Sequence, residues 1–134
     1  MSLLSVELSR VPKWYKPGLL LIGDAAHVMS PVGGVGINYA IQDAIAAGNI
    51  LIPSLKKGTV SLDDLARVQK RRELPTIFIQ TFQALAQNGL AKAIRPNQPF
   101  KIPTIMRLGL NFPFLRPWIT RLIAYGWNPV HVQA

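Results

Sequence analysis

The stretch IGDAAHVMSPVGGVGIN, residues 22–38, decides the fold of this 134-residue chain. The short apolar run GLLLI (18–22) leads into it and is typical of a strand that is buried on both faces of a sheet. Apolar residues at helical spacing follow it from Ile37 to Leu51, and Pro53 is expected to end that helix. A strand, a glycine-rich loop and a helix in this order predict an α/β fold.

A single acid stands at the end of the predicted strand. Ligands of α/β folds gather at the carboxyl ends of strands, so Asp24 is placed to accept hydrogen bonds from the hydroxyl groups of a ribose or ribitol chain. Gly33, Gly34 and Gly36 allow positive φ and let the backbone approach a ligand closely. These glycines could also serve only a tight connection. The combination of strand, acid, glycine loop and helix start favours a binding site.

The start of the predicted helix adds an electrostatic feature. Ile37 and Asn38 begin the helix, and the unpaired N–H groups of its first turn point back into the loop. An electron-rich or anionic group of a ligand would be stabilised there.

Other familiar site motifs do not fit this stretch. The spacing G-x-G-x-x-G would require glycine or alanine at Tyr39, and no Gly-Lys-Ser/Thr of a phosphate-binding loop follows. Asp24, His27 and Ser30 have the residue types of a hydrolase triad, but the sequence lacks the G-x-S-x-G nucleophile elbow. His27 is expected to be structural. A metal site has little support, since His131 is the only other histidine.

The longer segment GLLLIGDAAHVMSPVGGVGINYAIQDA resembles the second flavin-binding motif of the FAD-dependent aromatic hydroxylases, the para-hydroxybenzoate hydroxylase-like monooxygenases. In that family, G-D-A-A-H is followed by a proline and then by G-x-G-[LI]-N and a helix. Gly23–His27, Pro31 and Gly34–Asn38 match this pattern. RVQKRRELPT (67–76) and GWNPVHV (126–132) also resemble family segments, so the resemblance covers essentially the whole chain.

The resemblance implies that FAD is the cofactor. Asp24 would bind its ribitol, and Pro31 would lie beside the flavin. Backbone at 36–38 would approach the pyrimidine end of the isoalloxazine, where the helix dipole would stabilise the negative charge of the reduced flavin. The implied cofactor-binding residues are Gly23, Asp24, Ala25, Pro31, Gly34, Gly36, Ile37 and Asn38. No catalytic acid or base is identified in this stretch.

The resemblance also implies an activity. In this family NAD(P)H reduces the flavin, and the enzyme then uses O2 to hydroxylate or epoxidise a small organic substrate. The sequence identifies neither that substrate nor the choice between NADH and NADPH.

A particular domain organisation is implied as well. Residues 1–134 would be the C-terminal part of a Rossmann-like FAD-binding fold, with one or two strands followed by mostly helices. The strand, GD motif and helix occupy 18–52, and a helical remainder occupies 61–125. The family's N-terminal G-x-G-x-x-G, which binds the ADP half of FAD, is absent from this sequence. We therefore expect a fragment of such an enzyme, with a separate N-terminal half as a candidate partner, that neither binds FAD tightly nor turns over alone.

Local patterns predict further elements. LLSVELSRV (3–11) alternates like a strand with one solvent-exposed face. Ser61 and Asp64 form a capping-box pattern that begins a helix over 61–74. Leu62, Leu65 and Val68 mark the inner face of that helix.

Two breaks and two further helices are expected downstream. Pro75 should kink or break the helix that begins at Ser61, and the helical segment beyond it should end near Asn88-Gly89. Short apolar helices are predicted at roughly 104–111 and 114–125.

The composition favours an ordered domain with a basic surface. Hydrophobic residues make up 49% of the chain and its formal net charge is +9, so anionic lipid, nucleic acid or an acidic protein could be attracted. No signal peptide and no apolar run of about 20 residues is visible. Because there is no cysteine, disulfides and thiolate metal sites are excluded and a cytoplasmic location is expected.

A second interpretation belongs to another class of function. In the C-terminal part, aromatic and basic residues are interleaved, as expected for a non-catalytic basic module that makes peripheral contact with a membrane or docks on a protein. These residues are Phe112, Phe114, Trp118 and Trp127 with Arg107, Arg116 and Arg121. Packing of the aromatic side chains against the rest of an enzyme is the favoured explanation. Nucleic-acid binding is supported less than either of these, because the sequence contains no recognisable nucleic-acid-binding fold.

Overall fold

The computed structural model describes residues 8–31 and 34–93 and, nearer the C-terminus, 117, 120, 121, 125, 126 and 128–133. Four two-residue strands precede two long helices, which confirms the α/β fold class with strands followed by helices. The elements are β1 (Ser9–Arg10), β2 (Tyr15–Lys16), β3 (Leu19–Leu20), β4 (His27–Val28), α1 (Gly36–Lys56) and α2 (Leu62–Ala93). One turn of 3-10 helix, Gly23–Ala25, lies between β3 and β4.

The strands form two small antiparallel pairs. β1 pairs with β4, with Ser9 opposite Val28, and β2 pairs with β3 in a hairpin. The prediction of a buried strand over GLLLI was wrong, because only Leu19–Leu20 is a strand and Leu19 is 49% exposed. A run of apolar residues becomes a buried strand only when neighbouring strands and other elements cover it, and here β3 pairs with one strand.

Several expected elements lie outside the described residues. Residues 3–7 of the strand predicted at 3–11 are among them, and the rest of that segment contributes only β1. Most of the helices predicted at 104–111 and 114–125 are also outside the described ranges. The same holds for Phe112, Phe114, Trp118 and Trp127.

Helix α1 continues past the proline that was expected to end it. Pro53 lies inside the helix, which runs to Lys56. Only the last turn follows Pro53, so the missing N–H costs one hydrogen bond near an end that is already frayed. The chain then turns at Gly58, which has φ of 79° and whose N–H donates to Leu55 O at 2.9 Å.

Helix α2 begins at the predicted capping box. The N–H of Asp64 donates to Ser61 Oγ at 3.1 Å, and the N–H of Ser61 donates to Asp64 Oδ2 at 3.0 Å. The expected end near Asn88-Gly89 was wrong, since α2 is continuous from Leu62 to Ala93. Pro75, which was expected to kink or break the helix, does not break it. Buried contacts on either side of Pro75 outweigh its poor helix propensity.

The helices pack against each other and bury a small apolar core. Its buried cluster comprises Met29, Val35, Tyr39 and Ile79. The inner face predicted for α2 is confirmed at Leu65 and Val68, whereas Leu62 is 44% exposed.

Helix α1 does not bury its most apolar face. The face that it buries lies on the other side of the helix. It buries Tyr39, Gln42, Asp43 and Ala46. Its outward face is apolar, with Ile37 at 70% and Ile41 at 53% exposure. The 3.6-residue period therefore identified a helix correctly, but not its buried side.

Side chains of α2 complete the hydrogen bonding of the short strands and their flanks. Gln69 accepts the N–H of Trp14 at 3.0 Å and donates to Pro12 O at 3.0 Å. Gln80 donates to the carbonyls of Ser9 and Val28 at 2.9 and 3.0 Å. These amides satisfy backbone groups that a wider sheet would pair.

Candidate functional site

The GD motif forms a tight turn that rests on α1. The N–H of Ala26 donates to Gly23 O at 2.9 Å, and Gly23 has φ of 58°. A Cβ at Gly23 would lie only 3.0 Å from the Cβ of Ala40, so the turn packs directly on the helix. Asp24 and Ala25 are exposed on this turn. Within the described part of the chain, the Asp24 carboxylate has no hydrogen bond or ion pair, which leaves its oxygens available to a ligand.

A second turn precedes the helix. Pro31 O accepts the N–H of Gly34 at 3.1 Å, and Gly34 has φ of 61°. Both residues are exposed. Gly33, the third glycine singled out from the sequence, lies outside the described residues.

The N-terminus of α1 has no side-chain cap. Its N-cap residue is Val35, and the first intrahelical bond is donated by Tyr39 N–H to Val35 O at 3.1 Å. The N–H groups of residues 36–38 come before that bond, so they have no partner within the helix. They are the backbone groups that the sequence assigned to the pyrimidine end of a flavin. The eight predicted residues thus lie on two adjoining segments, 23–25 and 31–38.

Behind these segments lies a buried ionic network that the sequence analysis missed. Asp43 is fully buried and accepts hydrogen bonds from the N–H of Gly23 at 3.0 Å, from His27 Nε2 at 2.6 Å and from Arg72 Nε at 2.8 Å. Arg72 is also fully buried and donates to Gln42 Oε1 at 3.1 Å. One carboxylate therefore joins the GD turn, strand β4 and both helices.

The network keeps Asp43 ionised. Burial, the largest single influence, opposes ionisation, but hydrogen bonds from His27, Arg72 and the N–H of Gly23 outweigh it and hold the pKa of Asp43 below its ordinary value of 3.8. Nearby, burial raises the pKa of Tyr39. Tyr39 lies against Arg72, whose guanidinium carbon is 5.3 Å from the ring centroid.

Acid is expected to weaken the fold through Asp43. Its folded pKa is below its unfolded value, so its stabilisation is complete well above pH 3.8 and is lost as the pH falls below that value. We expect the urea concentration at the unfolding midpoint of the wild-type chain to decrease as the pH is lowered below about 4. The midpoint of Asp43→Asn should decrease less over the same pH interval. Asp63→Asn, at an exposed position, is the control, and its urea midpoint should depend on pH as that of the wild type does. The same pH dependence for Asp43→Asn and the wild type would contradict a lowered pKa for Asp43.

The expectation that His27 is structural agrees with its surroundings. Its side chain is 1% exposed, and its ring centroid lies 5.0 Å from that of buried Trp14. The carboxylate partner of His27 is Asp43, so Asp24, His27 and Ser30 do not assemble a triad. Within the described ranges, no group of three or more potential metal ligands is found.

Ser30, just before the second turn, is held by α2. Its N–H donates to Gln83 Oε1 at 3.2 Å, and its carbonyl accepts from Gln83 Nε2 at 2.9 Å. Its hydroxyl accepts from Gln87 Nε2 at 2.6 Å. Neither glutamine was predicted from the sequence. Their spacing on α2 was the available signal.

An open cleft of about 740 Å³ lies elsewhere, along the C-terminal half of α1. It is lined by Asn49, Arg67 and Arg71 and by the C-terminal segment, which Asn49 holds through His131 O at 2.7 Å. None of the eight predicted residues lines it. The predicted residues that the structure describes lie outside this cleft, at 23–25, 31, 34 and 36–38. None of the helices that the structure describes is long and apolar enough to cross a membrane.

A family model described as FAD binding domain matches residues 1–77. The 6-methylpretetramide 4-monooxygenase of Streptomyces rimosus is 34% identical over 140 residues, which cover 100% of this chain and 32% of that protein. The 3-demethoxyubiquinol 3-hydroxylase of Escherichia coli K12 is 31% identical over 63% of this chain and 22% of that protein.

A solved structure shows the same fold. It is that of BexE, reported in a study of oxidation during BE-7585A biosynthesis. It aligns with a TM-score of 0.59 at 23% identity, and covers 87% of this chain and 23% of that one. The chain spans about a third or less of the length of these relatives.

Proposed function

Because this chain belongs to the FAD binding domain family, whose cofactor is FAD, we propose that it forms the ribitol- and pyrimidine-binding part of the FAD site in a flavin-dependent monooxygenase. The observation that carries this proposal is the packing of the GD turn on the uncapped N-terminus of α1. That packing places Gly23, the neighbour of Asp24, against Ala40 in the second turn of α1, and the N–H groups of residues 36–38 have no partner within that helix.

The chemical character of this face fits the ribityl-isoalloxazine half of FAD. The exposed Asp24 carboxylate is an acceptor for ribitol hydroxyls. The N–H groups of Gly36, Ile37 and Asn38 are donors for the carbonyl and nitrogen acceptors of a pyrimidine ring. Gly23, Ala25, Pro31 and Gly34 would shape the backbone between these two sets of groups.

The same face is suited to stabilising negative charge. The positive end of the α1 dipole and three unpaired N–H groups converge at residues 36–38, and a reduced flavin carries negative charge on its pyrimidine ring. When bound, FAD would supply the redox chemistry, with NAD(P)H as electron donor and O2 as the oxygen source for hydroxylation of a small organic substrate. The protein residues would bind and orient the cofactor.

The wider organisation is part of this proposal. Residues 1–134 would form the C-terminal part of an FAD-binding domain, and the dinucleotide motif for the ADP half of FAD would come from a separate N-terminal segment. The names of the relatives favour hydroxylation of an aromatic or other small organic substrate. A cytoplasmic location fits the cysteine-free composition.

The proposal predicts which half of FAD the chain recognises. In amide NMR spectra of the labelled chain, FAD and FMN at millimolar concentration should shift the signals of 23–25, 34 and 36–38. ADP should not, because it lacks the ribitol and isoalloxazine groups that these residues contact. Shifts with ADP alone, or no shifts with FMN, would contradict the proposal.

Substitution of Asp24 tests the ribitol contact. Asp24→Asn should weaken FMN binding by about tenfold, since one or two hydrogen bonds to a charged acceptor are worth about 1.5–3 kcal/mol each and an amide retains part of that. Asp63→Asn, an exposed acid on α2, is the matched control and should leave binding unchanged. Equal affinities for Asp24→Asn and the wild type would remove Asp24 from the site.

A further inference from the structure

Helix α2 presents a polar row to the strands and loops in front of it. Gln69, Arg72, Thr76, Gln80 and Gln83 recur every three or four residues, so they share one face of the helix. Arg72 and Thr76 are fully buried, and Gln83 is 2% exposed. Buried polar groups are usually hydrogen-bonded, and the partners of Gln69, Arg72, Gln80 and Gln83 are largely backbone atoms and polar side chains of residues 9–43.

The contact between Gln83 and Ser30 fixes the entrance to the loop. The side-chain amide makes two hydrogen bonds with the backbone of one residue, accepting from N–H and donating to the carbonyl. Ser30 is 2% exposed and immediately precedes Pro31, whose ring restricts φ. The direction in which the chain enters the turn at Pro31–Gly34 is therefore set from α2.

A second contact fixes the GD turn. Arg72 donates to Asp43 Oδ1, and Asp43 Oδ2 accepts the N–H of Gly23. The residue next to Gly23 is Asp24, so the backbone from which that carboxylate projects is held through Asp43. Arg72 and Gln83 lie three turns apart on a single helix, which makes the separation of the two contacts rigid.

We propose that α2 is the positioning element of the flavin site. Gln83 holds the loop at Ser30, Arg72 holds the GD turn through Asp43, and together they set the spacing between the ribitol-binding carboxylate and the uncapped start of α1. This inference rests on the proposed function. Neither Gln83 nor Arg72 belongs to the eight residues proposed to touch FAD.

Helix α2 itself provides a matched pair of variants. Gln69 makes the same kind of two-bond contact with a backbone segment, but at Pro12 and Trp14, away from the loop. Gln83→Leu and Gln69→Leu remove equivalent hydrogen bonds from the same helix. They are expected to cost similar stability and to differ in their effect on the site.

Amide hydrogen exchange of the full chain without flavin measures the positioning directly. Gln83→Leu should speed exchange at Ser30, whose N–H loses its acceptor, and also at Gly34, whose N–H donates to Pro31 rather than to Gln83. Gln69→Leu should speed exchange at Trp14 and leave Gly34 unchanged. Unchanged exchange at Gly34 in Gln83→Leu would overturn the proposal, because the loop would then keep its shape without α2.

FMN titration supplies the second readout. Gln83→Leu should weaken FMN binding about tenfold, a common effect of removing a residue that orients binding groups, and Gln69→Leu should not. Gln83→Glu keeps the acceptor for the Ser30 N–H and loses the donor to the Ser30 carbonyl. Its FMN affinity should therefore lie between those of Gln83→Leu and the wild type. Faster exchange at Gly34 with unchanged FMN affinity would also overturn the proposal. Failure of the wild-type chain to bind FMN would contradict the proposed function instead, and hydrogen exchange would still decide whether α2 holds the loop.

Discussion

Replacing Arg72 by methionine is expected to lower the free energy of unfolding by about 3–5 kcal/mol. Arg72 is fully buried and supplies one of the three donors to the fully buried Asp43. Methionine fills much of the same volume but leaves that carboxylate with a large part of its charge uncompensated. The loss is a substantial fraction of the roughly 5–15 kcal/mol that stabilises a domain. Urea unfolding followed by far-ultraviolet circular dichroism measures it.

An exposed arginine on the same helix is the control. Arg67 approaches Asp64 at 3.6 Å, and its side chain is 60% exposed, so Arg67→Met should change stability by no more than about 0.5 kcal/mol. Combining Arg72→Met with Asp43→Asn should recover part of the loss, because the uncompensated charge is gone. A loss below about 1 kcal/mol for Arg72→Met alone would mean that the network contributes little to stability.

The second large effect is expected at the GD turn. Gly23→Ala should lower the free energy of unfolding by about 2–4 kcal/mol, from about 1–2 kcal/mol for the left-handed backbone and a similar amount for overpacking. The backbone term follows from its φ of 58°, and the packing term from the 3.0 Å approach of the new Cβ to Ala40 Cβ. Chemical or thermal unfolding of the variant measures the sum.

Two other glycines separate these contributions. Gly34 and Gly58 have φ of 61° and 79°, but a Cβ on either would meet no atom of the described residues within 4 Å. Gly34→Ala and Gly58→Ala should therefore show only the backbone cost, about 1–2 kcal/mol. Losses as large as that of Gly23→Ala would show that the contact with Ala40 is not the reason for glycine at position 23.

The sequence was most informative where local chemistry determines the structure. The GD turn, the glycine turn and the start of α1 depend on positive φ, on a missing helix cap and on short-range hydrogen bonds, all of which are encoded within a few residues. The capping box at Ser61 and Asp64 is encoded in the same way. The capping box and the start of α1 were predicted from the sequence and are confirmed. Of the glycines expected to allow positive φ, Gly34 has it, whereas Gly36 is the first residue of α1.

The remaining features depend on contacts between residues distant in the sequence. Asp43 lies within the apolar segment AIQDAIAAG, and a lone acid in such a segment signals a buried partner without identifying it. Its partners are 16, 20 and 29 residues away, at His27, Gly23 and Arg72. The network also lies on the polar face of α1, so that face is buried while the apolar residues Ile37 and Ile41 are exposed. The helix breaks expected at Pro53 and Pro75 did not occur for a similar reason, since propensity is a local quantity and packing is not.

The distance along the chain between Ser30 and Gln83 has a consequence for biosynthesis. The two residues are 53 positions apart, and ribosomes add about 5–20 residues per second. The loop is therefore made roughly 3–10 seconds before the side chain that holds it exists. During that interval the nascent chain carries the motif without the contact from Gln83. On the proposal that α2 positions the flavin site, we expect cofactor binding only after most of α2 has been translated.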